Sequence, residues 1–116
     1  MKARLISLAA LSVAFSLSAH AECNYPKAPE AVDGKSASEP QMLAAMAAFK
    51  QYNTDVDAYI ACLDTETAEK AKEAGGASAI MQMKAMQSKK KSSVTDERQA
   101  KIDEFNKQVR TFKSKG

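Results

Sequence analysis

The chain has 116 residues, with 17 Lys or Arg, 14 Asp or Glu and one histidine, and its formal net charge is +3 at pH 7. A chain of this length supports one domain at most, and its small net charge argues against the dense basic face that general nucleic-acid binding requires. The two cysteines form an even pair, which permits one intramolecular disulfide.

Residues 1–21 have the features of a cleavable export signal. Lys2 and Arg4 provide a positive start, an uncharged and mainly apolar stretch follows, and Ala19-His20-Ala21 is a small-x-small cleavage site. The alternative is a membrane anchor, but about 15 apolar residues fall short of the roughly 20 that span a bilayer. We therefore expect cleavage after about Ala21 and a periplasmic or secreted mature protein without a transmembrane segment.

Cleavage at this point changes the composition of the mature protein. It removes the only histidine, His20, and two basic residues, so fifteen basic residues remain against fourteen acidic ones and the net charge falls to +1. Both cysteines remain, and in an oxidising compartment we expect a disulfide between Cys23 and Cys62. The alternative is a pair of free thiols or an intermolecular bridge.

The mature chain begins with an extended arm over residues 22–37. This segment contains two prolines and the turn pattern Asp33-Gly34, with no apolar period. An extended arm reaches about 50 Å, which is enough to return to Cys62, about 36 Å along the following helix. We expect the disulfide to hold the arm beside the helices as a third layer, with Tyr25 and Val32 covering apolar surface.

A first helix is predicted over about residues 39–74. Ser38 has the features of an N-cap, Pro40 is tolerated in the first turn, and Gln41 completes a capping box. Alternating steps of four and three residues then predict a heptad seam. Its members are Met42, Met46, Phe49, Asn53, Val56, Ile60 and Leu63.

A second helix is predicted over about residues 77–113, after a turn at Gly75-Gly76, because each glycine costs about 1 kcal/mol inside a helix. The apolar spacing is clean from Ile102 onward and looser before it. Residues 89–93 are the weakest part, because Ser93 is a suitable cap for a new helix with Asp96 three residues later. The alternatives are therefore one long helix or two shorter ones. The inward positions are Ile80, Met83, Gln87, Val94, Arg98, Ile102, Phe105, Val109 and Phe112.

Two helices of equal length joined at a Gly-Gly turn predict an all-α fold. The expected architecture is an antiparallel helical hairpin over residues 38–116, and a three-helix arrangement is the alternative. End-to-end pairing places Phe49 against Ile102 and Asn53 opposite Arg98. By the same pairing, Met42 faces Val109 and Met46 faces Phe105.

Three methionines, Met81, Met83 and Met86, form the one cluster with metal-ligand chemistry, because thioethers bind Cu(I). Met81 and Met86 are five residues apart, which puts them on different sides of a helix. Methionine is also a common filler of narrow cores, and the mature chain has no histidine to assist. Core filling is the favoured interpretation, and no cofactor is expected.

A basic cluster follows at Lys89, Lys90 and Lys91. It suits anionic lipid head groups, lipopolysaccharide or an acidic partner. The alternative interpretation is a solvated helix face that Asp57 and Asp64 neutralise from the same level of the first helix.

Catalytic patterns are not recognisable in the mature chain. It lacks histidine, its cysteines are assigned to the disulfide, and it has neither a Gly-x-Ser-x-Gly motif nor a glycine-rich phosphate loop. Glu66, Glu69 and Glu73 are neighbouring carboxylates at a helix end, where we expect solvent to surround them. The sequence therefore predicts a protein that is not an enzyme.

Three short motifs carry a resemblance to known proteins: Cys23-x-Tyr25-Pro26-x-x-Pro29 with Asp33-Gly34, Tyr59-x-x-Cys62-Leu63-Asp64, and Phe105-Asn106-x-Gln108-Val109-Arg110-x-Phe112-Lys113. Together they resemble an uncharacterised family of small secreted or periplasmic proteins of Gram-negative bacteria with no assigned activity. The resemblance implies export and a disulfide, but no mechanism. Four residues of the last motif lie off the seam and form a candidate contact face with the lysine cluster: Asn106, Gln108, Arg110 and Lys113.

These observations predict a non-catalytic helical interaction protein that binds another protein or itself. A holdase chaperone for unfolded proteins in the same compartment is the second hypothesis, because methionine-rich surfaces adapt to varied partners. A methionine-based Cu(I) carrier is the third.

Overall fold

The computed structural model describes residues 23–115 and contains two long α-helices joined by a short turn. Helix α1 spans Glu39–Glu73 and helix α2 spans Ala77–Ser114. Within residues 23–115 no strand occurs. The predicted all-α hairpin is confirmed, whereas the predicted export signal lies outside the described residues.

Helix α1 begins at the predicted capping box. The Ser38 hydroxyl accepts a hydrogen bond from the Gln41 backbone N–H at 3.3 Å, and the Gln41 side-chain oxygen accepts one from the Ser38 backbone N–H at 2.8 Å. Two of the donors that the first helical turn leaves free are thereby satisfied. Pro40 occupies the first turn, where its missing N–H has no intrahelical partner to lose.

The turn between the helices depends on Gly76. Ala74 is extended and ends α1, and Gly76 has a φ of 138°, a conformation that side-chain-bearing residues rarely adopt. The Gly76 carbonyl then accepts the first hydrogen bond of α2, from Ile80 N at 3.2 Å. One glycine therefore both reverses the chain and starts the second helix.

Helix α2 continues without a break through residues 89–93. The two-helix alternative for this segment, and with it the three-helix fold, is wrong. Gln87, Lys91 and Val94 follow one another at steps of four and three, and all three turn towards α1, where Val94 is fully buried. A break at Ser93 would rotate these contacts away from α1, so packing outweighs the local capping signal.

The buried face of α1 is wider than the predicted seam. Met42, Phe49, Val56 and Leu63 are buried as expected, but Tyr52 and Tyr59 are also buried. Met46 was predicted as a seam member and is 42 % exposed, whereas Asn53 and Ile60 are half-buried. The difference arises because α1 is covered on two sides, by α2 and by the arm. The central core cluster consists of Phe49, Tyr52, Val56, Tyr59, Leu63 and Val94.

The pairing between the helices is offset from the predicted one. Phe49 stacks on Phe105, with ring centroids 4.5 Å apart, rather than on Ile102. Arg98 reaches Asp57 at 2.7 Å instead of lying opposite Asn53. Helical side chains lean towards the N-terminus of their own helix, so in an antiparallel pair the two partners lean in opposite directions. Side chains therefore meet partners a few residues further on than an end-to-end count of backbone positions suggests.

The arm, residues 23–37, runs along both helices and is fastened near each end. The disulfide joins Cys23 to Cys62 with a Cα–Cα distance of 5.7 Å. At the other end, the Gly34 backbone N–H donates to the Gln108 side chain at 2.8 Å, and Asp33 O accepts from Ala37 N at 2.8 Å to form the predicted turn. The arm is thus the third layer that the sequence predicted.

No helix in the described part of the chain is long and apolar enough to cross a membrane.

Candidate functional site

The basic cluster of α2 is partly neutralised by α1. Lys91 forms an ion pair with Asp64, and Arg98 forms one with Asp57 at 2.7 Å. Lys89 and Lys90 are exposed. Such exposed ion pairs contribute little stability. Within the basic cluster, Lys89 and Lys90 remain available to an anionic partner.

The candidate contact face near the C-terminus is divided by the arm. Asn106, Arg110 and Lys113 are exposed, which leaves them accessible to a partner. Gln108 lies beneath the arm instead, where its side-chain oxygen binds the Gly34 amide and its side-chain nitrogen donates to Glu104 at 2.9 Å. Gln108 therefore fastens the arm rather than forming part of a free surface.

The methionines near the hairpin turn are largely solvent-exposed. Met81 is 72 % exposed, Met86 is 59 % exposed, and Met83 between them is half-buried. Core filling, the favoured interpretation from the sequence, is wrong for Met81 and Met86. Their five-residue spacing separates them by about 140° around the helix axis, so the two sulfur atoms do not converge on one ion. The Cu(I) hypothesis would be tested by measuring Cu(I) affinity after all three methionines are replaced by leucine.

A second exposed apolar group lies at the opposite end of the hairpin. Leu43 is 57 % exposed and Met46 is 42 % exposed, and Ala47 next to them is exposed as well. Spacings of three and four residues bring these side chains together on one face of α1. We call Leu43, Met46 and Ala47 the α1 patch. The heptad pattern had already placed Leu43 outside the seam, but Met46 was assigned to the core.

Glu66 is held in a polar cluster around the disulfide. Its Oε1 accepts hydrogen bonds from Lys70 at 2.7 Å and from the buried Gln87 at 3.1 Å, and its Oε2 lies 3.4 Å from the Cys23 sulfur. The hydrogen bond from Lys70 holds the pKa of Glu66 below its usual value. The expectation that solvent surrounds this carboxylate is therefore wrong, because the arm and α2 both approach it.

Tyr25, near the disulfide end of the arm, contacts both helices. Tyr25 makes an edge-on contact with Tyr59, with centroids 5.2 Å apart, and its hydroxyl donates to Glu97 at 2.5 Å. The hydrogen bond to Glu97, with partial burial, raises the pKa of Tyr25. Burial also raises the pKa of Tyr52, whose hydroxyl has no hydrogen-bond partner among the described residues. Tyr25 thus covers the core as predicted, but it also anchors the arm to α2.

A cavity of about 150 Å³ lies between the middle of the arm and the helices. The sequence did not indicate it, because it is formed by three segments that are distant along the chain. Its walls are mainly apolar, and the residues that line it are Pro29, Ala31, Val32, Phe49, Ala100, Lys101, Glu104, Phe105 and Gln108.

Within residues 23–115, no group of three or more His, Cys, Asp or Glu side chains is arranged to hold a metal ion. No family model, curated protein or solved structure matches the chain. Support for a function therefore comes from the chain's own contacts and exposed side chains.

Proposed function

We propose that this chain is an exported, non-catalytic helical protein that binds another protein or a second copy of itself. The α1 patch is the observation that carries the proposal. Leu43 and Met46 are large apolar side chains that remain about half exposed although they lie beside a core that buries Met42 and Phe49. Contiguous exposed apolar side chains of this kind are typical of protein interaction surfaces.

The energetics of the α1 patch favour a specific but modest contact. Full burial of a leucine or methionine side chain contributes about 1.5–3 kcal/mol. Leu43 and Met46 are already about half buried, so a partner would gain about 1 kcal/mol from each of them. A single polar substitution should then weaken binding about fivefold to tenfold, since 1.4 kcal/mol corresponds to a factor of ten.

Export and the absence of catalysis are parts of the same proposal. The signal-like segment over residues 1–21 and the resemblance to small exported proteins support export, and a disulfide between Cys23 and Cys62 suits an oxidising compartment. Fractionation followed by N-terminal sequencing tests this part. A mature protein that begins at Glu22 in the exported fraction is expected, and a cytoplasmic protein that keeps Met1 would contradict it.

Site-specific photo-crosslinking tests the interaction itself. A photoreactive residue introduced at Leu43 or Met46 should give a discrete covalent adduct, either with a second copy or with one envelope protein. Thr65 is the matched control position, because it is exposed on the same helix and lies about 28 Å further along it than Met46. Sedimentation of the exported protein should agree with the adduct, and a strict monomer that yields no adduct from Leu43 or Met46 would remove the support.

A holdase is the second candidate function, favoured by the position of Met81 and Met86. These exposed methionines lie on α2 near the hairpin turn, about 40 Å along the hairpin from the α1 patch. A single small interface does not cover both regions, whereas an unfolded client would contact both. Suppression of the aggregation of a heat-unfolded enzyme at up to equimolar ratio is expected, and it should weaken when Met81 and Met86 are replaced by serine. No suppression, together with no binding of an apolar dye, would exclude this function.

A further inference from the structure

The cavity beneath the arm has a floor of stacked aromatic rings and a roof of extended chain. Phe49 and Phe105, 4.5 Å apart at their centroids, form the floor. The arm supplies the roof over residues 29–32, and Ala100 forms part of the wall on α2. The cavity has a volume of about 150 Å³ and is partly open to solvent, because several of its lining residues are exposed: Ala31, Ala100, Lys101 and Glu104.

The way the arm is fastened explains why this space persists. Residues 26–32 make no hydrogen bond to the rest of the described chain, so packing alone holds the middle of the arm. On one side the disulfide fixes Cys23. On the other side Gly34 already touches α2 so closely that an added Cβ would lie 2.0 Å from the Gln108 carbonyl oxygen. The arm is thus held at both ends, and the small, exposed side chains of Ala31 and Ala100 at the edge of the cavity leave it partly open.

The size and the charges of the cavity define what it accepts. An enclosed apolar cavity of about 150 Å³ holds one benzene molecule, so this partly open cavity of the same volume has room for a single benzene-sized ring on its aromatic floor. At its rim Lys101 and Glu104 carry opposite charges, and Glu104 also accepts a hydrogen bond from Gln108, so the rim gives no preference for a cation or an anion. We propose that the cavity beneath the arm is a binding site for a neutral, benzene-sized apolar small molecule, and that the disulfide is required to build it.

This site is separate from the α1 patch, because neither Leu43 nor Met46 lines the cavity. Ligand binding and protein binding can therefore succeed or fail independently. Reduction of the disulfide frees one end of the arm and should open the roof of the cavity. The affinity for the ligand should therefore depend on the oxidised state, whereas protein binding at the α1 patch should not.

Benzene is the probe for the direct test. Titration of the oxidised exported protein, followed by NMR of the Val32 methyl groups, should show saturable shifts in the millimolar range, whereas phenylacetate and benzylamine should bind at least tenfold more weakly. Ala100→Leu and Ala31→Leu place a larger side chain at the cavity wall, and each should lower benzene affinity at least tenfold. Ala61→Leu is the matched control, since Ala61 is exposed on α1 and does not line the cavity.

The helical content of each variant, measured by circular dichroism, separates loss of the site from loss of the fold. Reduction by dithiothreitol should remove the benzene shifts while the helical signal persists at low temperature. The absence of saturable shifts in the oxidised protein would overturn the proposal. So would unchanged benzene affinity in both Ala100→Leu and Ala31→Leu, or benzene affinity that survives reduction.

Discussion

Removing the disulfide tests how much the tether of the arm contributes to stability. The bridge closes a loop with a sequence separation of 39 residues. On the chain-entropy model, a closed loop of this length stabilises the fold by about 4 kcal/mol at 25 °C, because it restricts the unfolded chain. Measured values for native disulfides in small domains range from about 2 to 5 kcal/mol. We therefore expect the Cys23→Ala/Cys62→Ala variant to lose about 4 kcal/mol of unfolding free energy.

Urea unfolding followed by the helical signal at 222 nm measures this loss. With an m-value of about 2 kcal/mol/M, as expected for a small domain, the midpoint should fall by about 2 M. For a domain of this size, 4 kcal/mol also corresponds to a drop of about 15–30 °C in Tm. Chemical reduction of the unmodified protein should give a similar change, which excludes an effect of the alanine side chains themselves.

Tyr25→Phe is the control that separates the tether from the contacts of the arm. It removes the hydrogen bond to Glu97 but keeps the disulfide and the ring contact with Tyr59. The expected loss is about 1 kcal/mol, the usual contribution of one hydrogen bond. If the double alanine variant loses no more than Tyr25→Phe, then restriction of the unfolded chain is not the main contribution of the disulfide, and the reasoning is refuted.

Three further changes test other parts of the fold. Gly34→Ala should lower the unfolding free energy by about 1–3 kcal/mol, because its Cβ would meet the Gln108 carbonyl oxygen at 2.0 Å. The arm must then move away from α2 and lose a hydrogen bond. Unchanged stability in urea would contradict this close approach. Phe49→Ala should cost about 3–5 kcal/mol, since it removes a buried ring stacked on Phe105, whereas a cost below 1 kcal/mol would show that the stack is not part of the core. The pKa of Glu66 lies below its ordinary value of 4.5, so its contribution to stability is present above pH 4.5 and is lost as the pH falls through the lowered pKa. Wild type should therefore lose more stability than Glu66→Gln in acid, and parallel urea midpoints of the two proteins against pH would exclude this role.

Local signals in the sequence were sufficient to predict the elements of the fold. The capping box at Ser38, the glycine turn and the three- and four-residue apolar spacing depend on residues close together in the chain. The helix bounds, Glu39–Glu73 and Ala77–Ser114, accordingly agree with the predicted ones to within a residue. The disulfide was also predictable, since two cysteines allow only one intramolecular pairing.

Features that depend on side-chain direction could not be read from periodicity. The burial of Tyr52 and Tyr59 involves the arm, since Tyr25 packs on Tyr59 and Cys23 and Ala28 pack against the same core, and a heptad pattern contains no information about a third layer. The continuity of α2 through Ser93 was likewise left open by the sequence. It was decided by the contacts that hold Val94 against α1.

The sequence by itself determined that this protein has two helices, the first with a capping box, a glycine turn between them and a bridged arm, because each of these properties resides in neighbouring residues or in the cysteine pair. Only the tertiary structure decided which apolar side chains stay in solvent and where an empty space remains. Leu43 and Met46 remain exposed, and a partly open cavity lies between the arm and the helices. The close contact between Gly34 and Gln108 joins residues that are distant in the chain, as do the segments that line the cavity. No local sequence pattern therefore predicts the cavity.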